Sequence, residues 1–210
     1  MIILIFIIQL LPSIENYTYE TNDKGKMGTM DIRANLDTSG YHVIYTWENK
    51  VLELIFDTLD MSTKYVKKTA GDKVEFEAQR KEKFNVFFKG RKFSYNVDEP
   101  VYDRHAIEYA LRGFDYYSNL KRNIRLHVPE FMVVNAEINV LGEETVNCPL
   151  GNIDCWKVEM VPKVLFVKWR FYFWFEKEYP KRFIKYSDSS GNNSILLIDY
   201  TFQDTRDNKN

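Results

Sequence analysis

The chain has 210 residues and a formal net charge of −1, with 45% hydrophobic and 28% charged residues. This is the balance of a globular protein with one large domain or two small ones. The near-neutral charge excludes a chain-wide electrostatic attraction to nucleic acid.

The first segment is apolar, with ten apolar residues among the first eleven. A membrane-spanning helix needs about 20 apolar residues, so the run instead has the length of a signal-peptide hydrophobic region. It lacks a preceding Lys or Arg and a small-x-small cleavage site, whereas Pro12 and Ser13 suit its end. We expect residues 1–14 to be an export signal, which predicts a periplasmic or secreted protein. An apolar first strand or an uncleaved anchor is the alternative.

From residue 28 onward the dominant period of the sequence is two. Gly28–Leu36 alternates Met30, Ile32 and Ala34 with polar residues, and the segment 73–80 alternates in the same way. The segment 83–97 is typical of a hairpin that turns near Lys89–Gly90–Arg91. Short alternating runs bounded by turn residues predict an antiparallel sheet.

Two stretches depart from this alternation. Asn49–Ser62 fits a helical stripe or a strand; we favour a strand with a turn near Asp57–Asp60, because pairing in a β-rich chain overrides local propensity. Val101–Phe114 has helical spacing, and Asp103 and Gly113 suit its start and its end.

The two cysteines, Cys148 and Cys155, flank a predicted hairpin with its tip near Leu150–Asn152. A hairpin there would bring the thiols close to opposite each other, and an exported protein could then form a disulfide. Their spacing excludes a CxxC redox motif, and two cysteines without a nearby His make a poor zinc site.

The densest aromatic stretch lies at residues 167–186. Strand alternation puts one set of side chains on an apolar face and the next set on a mixed face. Because burial of one large aromatic side chain is worth roughly 1.5–3 kcal/mol, we expect the apolar face to bury against a core. The apolar face comprises Val167, Trp169, Phe171, Phe173 and Phe175; the mixed face comprises Lys168, Arg170, Tyr172, Trp174 and Glu176.

These elements predict one domain over residues 15–203, followed by a polar tail at 204–210. The predicted fold is mainly β, a curved antiparallel sheet (a half-barrel) wrapped around one short central helix. If the helix fills the hollow of the sheet incompletely, an apolar ligand cavity results. If the helix fills the hollow completely, the aromatic side chains belong to the hydrophobic core. The candidate cavity residues are Ile107, Leu111, Phe114, Trp169, Phe171 and Phe173, with His105 and Arg112 as polar groups.

No pattern in the sequence predicts catalysis, a metal site or a cofactor. His42, His105 and His127 are far apart in sequence, so each is expected at the surface or at a boundary. Arg112 could enter the hollow or form an ion pair. Phosphate loops, nucleophile elbows and HExxH motifs are absent, and Glu143–Glu144 point to opposite faces of a strand.

The segments YDRHAIEYALRGFDY, AEINVLGEETVNCPLGNIDCWKVEM and FYFWFEKEYPKRFIKYS resemble a bacterial envelope family, domain of unknown function 3108. The resemblance covers about Asp103–Tyr200 well and the first hundred residues loosely. It implies the open half-barrel with an inner helix that periplasmic lipoprotein carriers use. The matching positions are Arg112, Gly142–Glu143, Gly151, Cys155, Val158, and Trp174 through Pro180 and Arg182.

Three functions follow as hypotheses. The first is an exported, non-enzymatic envelope protein that binds a lipid, a lipoprotein or another apolar ligand in the concave sheet. The second is a structural or assembly protein of the envelope, acting through exposed strand edges or its aromatic face. The third is an enzyme, which a buried cluster of titratable groups facing one cavity would favour. Short basic pairs such as Lys67–Lys68 leave peripheral association with anionic lipid open, and the sequence predicts no oligomeric state.

Overall fold

In this computed structural model, the structure describes residues 11–97, 99–128, 132–164 and 169–204. Most of the predicted export signal, and Val167 and Lys168 of the aromatic stretch, lie outside these residues. Leu11 already packs into the core, and Pro12 accepts a hydrogen bond from the Tyr41 hydroxyl through its carbonyl (3.2 Å). Leu11 and Pro12, at the end of the predicted export signal, therefore contact the folded domain.

The described residues form fifteen strands and one α-helix. The N-terminal strands are β1 (Ile14–Asp23), β2 (Lys26–Leu36), β3 (Tyr41–Trp47), β4 (Lys50–Phe56), β5 (Thr63–Ala70), β6 (Lys73–Arg80), β7 (Phe84–Phe88) and β8 (Arg91–Tyr95). Then come β9 (Val101–Asp103), a 3-10 turn (Arg104–Ala106) and α1 (Ile107–Arg112). The C-terminal strands are β10 (Lys121–Val128), β11 (Met132–Cys148), β12 (Gly151–Pro162), β13 (Phe171–Glu176), β14 (Phe183–Asp188) and β15 (Asn193–Gln203).

All fifteen strands belong to one sheet, which consists of two meanders joined at the chain ends. Strands β8 to β1 follow each other in space, β1 pairs with β15, and β15 to β9 complete the sheet. The pairs are antiparallel except for β9 and β10, which are parallel. The chain passes from one edge of the sheet to the other between β8 and β9. The helix lies in the next connection, which joins β9 to its parallel neighbour β10.

The sheet curves until its β9 edge meets β5 in the other meander. The Asp103 backbone N–H donates to the Thr63 hydroxyl (2.9 Å), and the Tyr102 hydroxyl donates to the Asp60 carbonyl (3.2 Å). The ring centroids of His127 in β10 and Phe84 in β7 are 5.0 Å apart. The prediction of a mainly β protein with a curved, unclosed antiparallel sheet around a short helix is confirmed.

Strand alternation places the side chains as the sequence predicts. In β2, Ile32 and Ala34 are buried, whereas Asp31, Arg33 and Asn35 are exposed. The ambiguous segment is a strand, β4, followed by a turn after Asp57. The turn into β3 needs Gly40, because its φ is +152° and a Cβ there would lie 2.4 Å from the Phe56 carbonyl oxygen.

The helical segment is shorter than predicted, because its first three residues extend the sheet as β9. The Asp103 carboxylate caps the 3-10 turn by accepting from the His105 backbone N–H (2.9 Å), and Gly113 is the C-cap of α1. All six residues of α1 are buried, since the curved sheet surrounds the helix. No helix among the described residues is long and apolar enough to cross a membrane.

The aromatic stretch is only partly a strand, because β13 begins at Phe171. Phe173 and Phe175 are buried on the inner face as predicted, but Trp169 precedes the strand and is 47% exposed. The sequence places Trp174 on the mixed face, yet its side chain is only 4% exposed. The Lys157 and Lys185 ammonium groups lie 5.0 and 4.7 Å from the centroid of its ring, so two lysine side chains cover it.

The predicted disulfide is absent, and both cysteines are buried free thiols. The hairpin itself is present between β11 and β12, but Cys148 pairs with Gly151 and Cys155 pairs with Glu144. This register separates the two cysteines by four residue positions along the hairpin, roughly 13 Å at the rise of a strand. A disulfide needs Cα atoms within about 7 Å.

Candidate functional site

A cavity of about 300 Å³ lies between the sheet and the start of the helical segment. Its walls are mostly aromatic and aliphatic side chains that come from both meanders. They are Met30, Tyr45, Trp47, Leu52, Leu126, Val128, Met160, Pro162, Trp169, Phe171, Phe173, Phe183, Tyr186 and Ile195, with Arg104, His105, Ile107 and Glu108 from the helical segment.

The structure brings five of the predicted site residues together at this cavity. Ile107, Phe171 and Phe173 are wall residues, and His105 supplies a polar edge. Trp169 also lines the cavity, and because 47% of its surface is exposed it lies where the cavity meets solvent.

Leu111, Phe114 and Arg112 lie away from the cavity, toward the C-terminal end of the helix. Leu111 is fully buried. The ring of Phe114 packs edge-on against Tyr102, with centroids 5.9 Å apart, and the Arg122 guanidinium lies 4.4 Å from its centroid. The helix therefore fills one end of the hollow and leaves the other end open.

Arg112 forms an ion pair with a residue 97 positions away in the chain. Its guanidinium donates to both carboxylate oxygens of Glu15 (2.8 and 2.9 Å) and to the carbonyls of Lys181 and Pro180 (2.8 and 3.0 Å). Both side chains are fully buried. Burial raises the pKa of Glu15, but the charge and hydrogen bonds of Arg112, with hydrogen bonds from Tyr17 and Tyr41, outweigh it and lower the pKa.

Glu108 is a cavity residue that the sequence did not identify. It accepts a hydrogen bond from the Tyr45 hydroxyl (2.5 Å), and it is 8% exposed. Burial raises its pKa to about 7, and the hydrogen bond from Tyr45 opposes this only in part. Helical spacing could have revealed it, because Glu108 follows His105 by three positions and so shares its face.

His105 and His127 meet at one carboxylate, which corrects the expectation that the histidines are separate boundary residues. The His105 Nδ1 lies 3.0 Å from one oxygen of Asp103, and the His127 Nδ1 lies 2.6 Å from the other. His127 is fully buried between aromatic rings. Burial raises the pKa of Asp103, but hydrogen bonds from both histidines outweigh it and lower the pKa. His42, by contrast, is part-exposed as expected.

A second cavity, of about 400 Å³, adjoins the first near the ends of β1, β2 and β3. The two share Met30, Trp47, Tyr186 and Ile195 as wall residues. The second one also contacts charged and polar side chains, including Asp23, Lys26 and Glu48. Together they form an elongated groove with an apolar end and a polar end.

Within the described residues, no group of three His, Cys, Asp or Glu side chains has the geometry of a metal site. The titratable groups that line the cavity are Tyr45, Arg104, His105, Glu108 and Tyr186, and such a cluster would favour an enzyme. However, the cavity walls include no Ser, Thr, Cys or Lys among the described residues. The arrangement therefore suits the binding of an apolar molecule with one polar group.

The family model described as a protein of unknown function, DUF3108, matches residues 16–197. The chain belongs to this family. The match extends the resemblance seen in the sequence through nearly the whole N-terminal meander. No curated protein matches this DUF3108 chain.

Solved structures similar to the DUF3108 chain include a beta-barrel-like protein of domain of unknown function DUF1849 from Brucella abortus. The two share 11% sequence identity and a TM-score of 0.59, over 92% of this chain and 99% of that one. A candidate lipoprotein from Parabacteroides distasonis matches at 10% identity and a TM-score of 0.36, over 91% and 98% of the two chains. A candidate exported protein with a YMCC-like fold from Bacteroides fragilis matches at 14% sequence identity and a TM-score of 0.34, over 89% of this chain and 95% of that one. The Brucella structure supports the fold alone, since identity is low. Neither the family description nor these structures indicate a catalytic activity.

Proposed function

We propose that this DUF3108 protein is an exported, non-enzymatic envelope protein that binds a lipid or another apolar ligand in the cavity beside the helix. The observation that carries the proposal is the unfilled space of about 300 Å³ with mostly apolar walls. A concave site with mostly apolar walls, an opening to solvent and a few polar groups is the usual form of a small-molecule site.

The shape of the groove favours a ligand with a chain. Its apolar volume is at the lower end of the range of small-molecule sites, about 300–1,000 Å³, and the adjoining polar cavity extends it. Each methylene buried against these walls contributes about 0.8 kcal/mol. An acyl chain fits the apolar end, while a polar group can contact the polar end or solvent.

The location of the protein in the envelope rests on the apolar run at residues 1–10 and on Pro12 and Ser13 after it. A hydrophobic region of this length is typical of a signal peptide. Alkaline-phosphatase fusions to residues 1–14 test this part of the proposal, because the phosphatase is active only after export.

The assembly hypothesis would be favoured by a filled interior together with a contiguous exposed apolar patch. The interior is open at the Trp169 end. Met27, Ile44 and Leu59 are exposed on separate elements, and Tyr179 and Phe202 form a small exposed ring pair with centroids 6.1 Å apart. Ligand binding is therefore the better supported function.

The test is organic extraction of the purified protein, mass spectrometry of the extract, and melting temperatures with added fatty acids. We expect a co-purifying lipid and a higher melting temperature with a bound ligand. Ile195→Trp, at the junction of the two cavities, should reduce both effects. Ile44→Trp, on the exposed outer face of β3, is the matched control. An empty protein whose melting temperature no lipid changes would overturn the proposal.

A further inference from the structure

Among the described residues that line the cavity, one side chain is acidic, that of Glu108. Its surroundings indicate the chemistry of the ligand. We propose that the ligand carries a cationic nitrogen beside its apolar chain and that Glu108 binds this nitrogen. The inference rests on the proposed ligand-binding function and adds a chemical class to it: an amphiphilic amine.

Glu108 is buried without a positively charged partner. Its carboxylate accepts from the neutral Tyr45 hydroxyl, and no Lys, Arg or His of the described segments forms an ion pair with it. The other buried acidic side chains, Glu15, Asp103 and Glu159, do have such partners. A buried carboxylate without a counter-ion is costly, and a cationic ligand would remove this cost.

The rings around the cavity supply the second part of the argument. Tyr45, Trp47, Phe171, Phe173 and Tyr186 surround the same space as Glu108. A cation over the face of such a ring is attracted by the negative charge of the π electrons. A carboxylate within aromatic walls is the combination that recognises alkylated ammonium groups. An anionic head group would be repelled both by the ring faces and by the carboxylate.

The other titratable groups near Glu108 determine where the nitrogen binds. Tyr45 stays neutral, because burial and the adjacent Glu108 raise its pKa well above the usual value. Tyr19 and Tyr186 also have pKa values raised by burial. His105 is bound to the Asp103 carboxylate through Nδ1. Arg104 is exposed at the cavity edge, whereas Glu108 is buried, so the nitrogen is expected deeper, at Glu108.

The experiment compares three probes of equal chain length at pH 8 and below their micelle concentrations: dodecylamine, dodecanol and dodecanoate. Binding is followed by calorimetry and by the fluorescence of Trp47 and Trp169, which line the cavity. We expect dodecylamine to bind at least about tenfold more tightly than dodecanol. Glu108→Gln should abolish this preference, and an unchanged far-UV circular dichroism spectrum shows that the variant is folded. Glu144→Gln, on the exposed outer face, should behave like the wild type.

Protonation of Glu108 gives an independent readout, because its pKa is about 7 whereas an alkylamine stays charged well above neutral pH. The preference for dodecylamine should therefore decrease from pH 8 to pH 6 in the wild type but not in Glu108→Gln. Equal binding of all three probes, or tightest binding of dodecanoate at Arg104, would overturn the amine inference and leave the proposed function standing. Binding of none of them would overturn both.

Discussion

Two buried carboxyl groups, Glu15 and Glu108, show how the environment of a side chain determines its charge. Both are inaccessible to solvent or nearly so. Glu15 contacts Arg112 and three phenols, and its pKa is lowered despite burial. Glu108 has one phenol, and burial raises its pKa to about 7. The Glu15 carboxylate thus stabilises the fold through its ion pair, whereas the Glu108 carboxylate at the cavity has no positively charged partner among the described residues.

The raised pKa of Glu108 makes stability depend on pH. Below about 4.5, the ordinary pKa of a glutamate side chain, the group is protonated in both the folded and the unfolded state. Between this value and about 7 the unfolded chain has released the proton while the native protein retains it, so stability falls as the pH rises. The loss is up to about 3 kcal/mol, at 1.36 kcal/mol per pKa unit. Urea unfolding should show Glu108→Gln gaining stability over the wild type between pH 5 and pH 8. Parallel profiles of the two proteins would contradict this.

Replacement of Arg112 should be among the most damaging single changes. Arg112→Met leaves the buried Glu15 carboxylate without its counter-ion, and loss of one partner of a buried pair costs about 3–5 kcal/mol. Urea unfolding of Arg112→Met, Glu15→Gln and the double variant measures the coupling, and the double variant should be more stable than additivity predicts. Lys163→Met, which breaks the exposed pair with Glu137, is the control and should have a much smaller effect. Equal effects of both substitutions would contradict the structural role of Arg112.

At the scale of the elements, Asp103 joins three of them. Its carboxylate caps the 3-10 turn and binds His127 of β10, while its backbone N–H donates to Thr63 of β5. Asp103→Ala removes a cap and leaves a buried imidazole without a partner, which should cost at least about 2 kcal/mol. Chemical unfolding measures the loss.

A second substitution tests the reason for this loss. Because His127 lies between Phe76 and Phe84, His127→Phe removes the polar ring that Asp103 satisfies. It should recover part of the stability in the Asp103→Ala background. Asp115→Ala, exposed beyond the other end of α1, is the control. An unchanged midpoint for Asp103→Ala would show that the cluster contributes nothing to stability.

The sequence predicts those elements whose signals are local. Alternation in β2 identifies its inner face, Gly90 marks the β7–β8 turn, and Asp103 and Gly113 bound the helical segment. The contacts that build the site are not local. Glu15 and Arg112 are 97 residues apart, and His127 reaches Asp103 only because β9 pairs with β10. The predicted disulfide was wrong because the position of the turn determines which residues pair across the hairpin. A shift of the turn by one residue changes every pair.

The incomplete filling of the hollow could not be predicted from composition or periodicity. Ile107 and Leu111 lie on one helical stripe, yet only Ile107 lines the cavity. The difference arises because the hollow closes around the C-terminal end of α1, where Phe114 and the Glu15–Arg112 pair pack. Residues that share a helix face can thus belong to a filled core and to an open site.

For the molecule as a whole, the topology couples the two meanders. They share the β1–β15 pairing, and Arg112 of α1 binds Glu15 of β1 and the turn between β13 and β14. Neither meander can bury its inner face without the other, since the cavity and core draw side chains from both. The domain should therefore unfold in one cooperative transition.

The four tryptophans allow this cooperativity to be measured in each meander separately. Trp47 is in β3, whereas Trp156, Trp169 and Trp174 belong to the C-terminal meander. Trp47→Phe reports on the C-terminal meander alone, and replacement of the other three by Phe reports on the N-terminal one. In each variant the urea midpoint from tryptophan fluorescence should equal the midpoint from far-UV circular dichroism, which follows the whole sheet. Because each variant serves as its own reference, a loss of stability caused by the substitutions does not affect the comparison. A fluorescence transition that precedes the loss of the sheet in either variant would show that the meanders unfold independently, and the interactions of Arg112 and β1 would then be too weak to couple them.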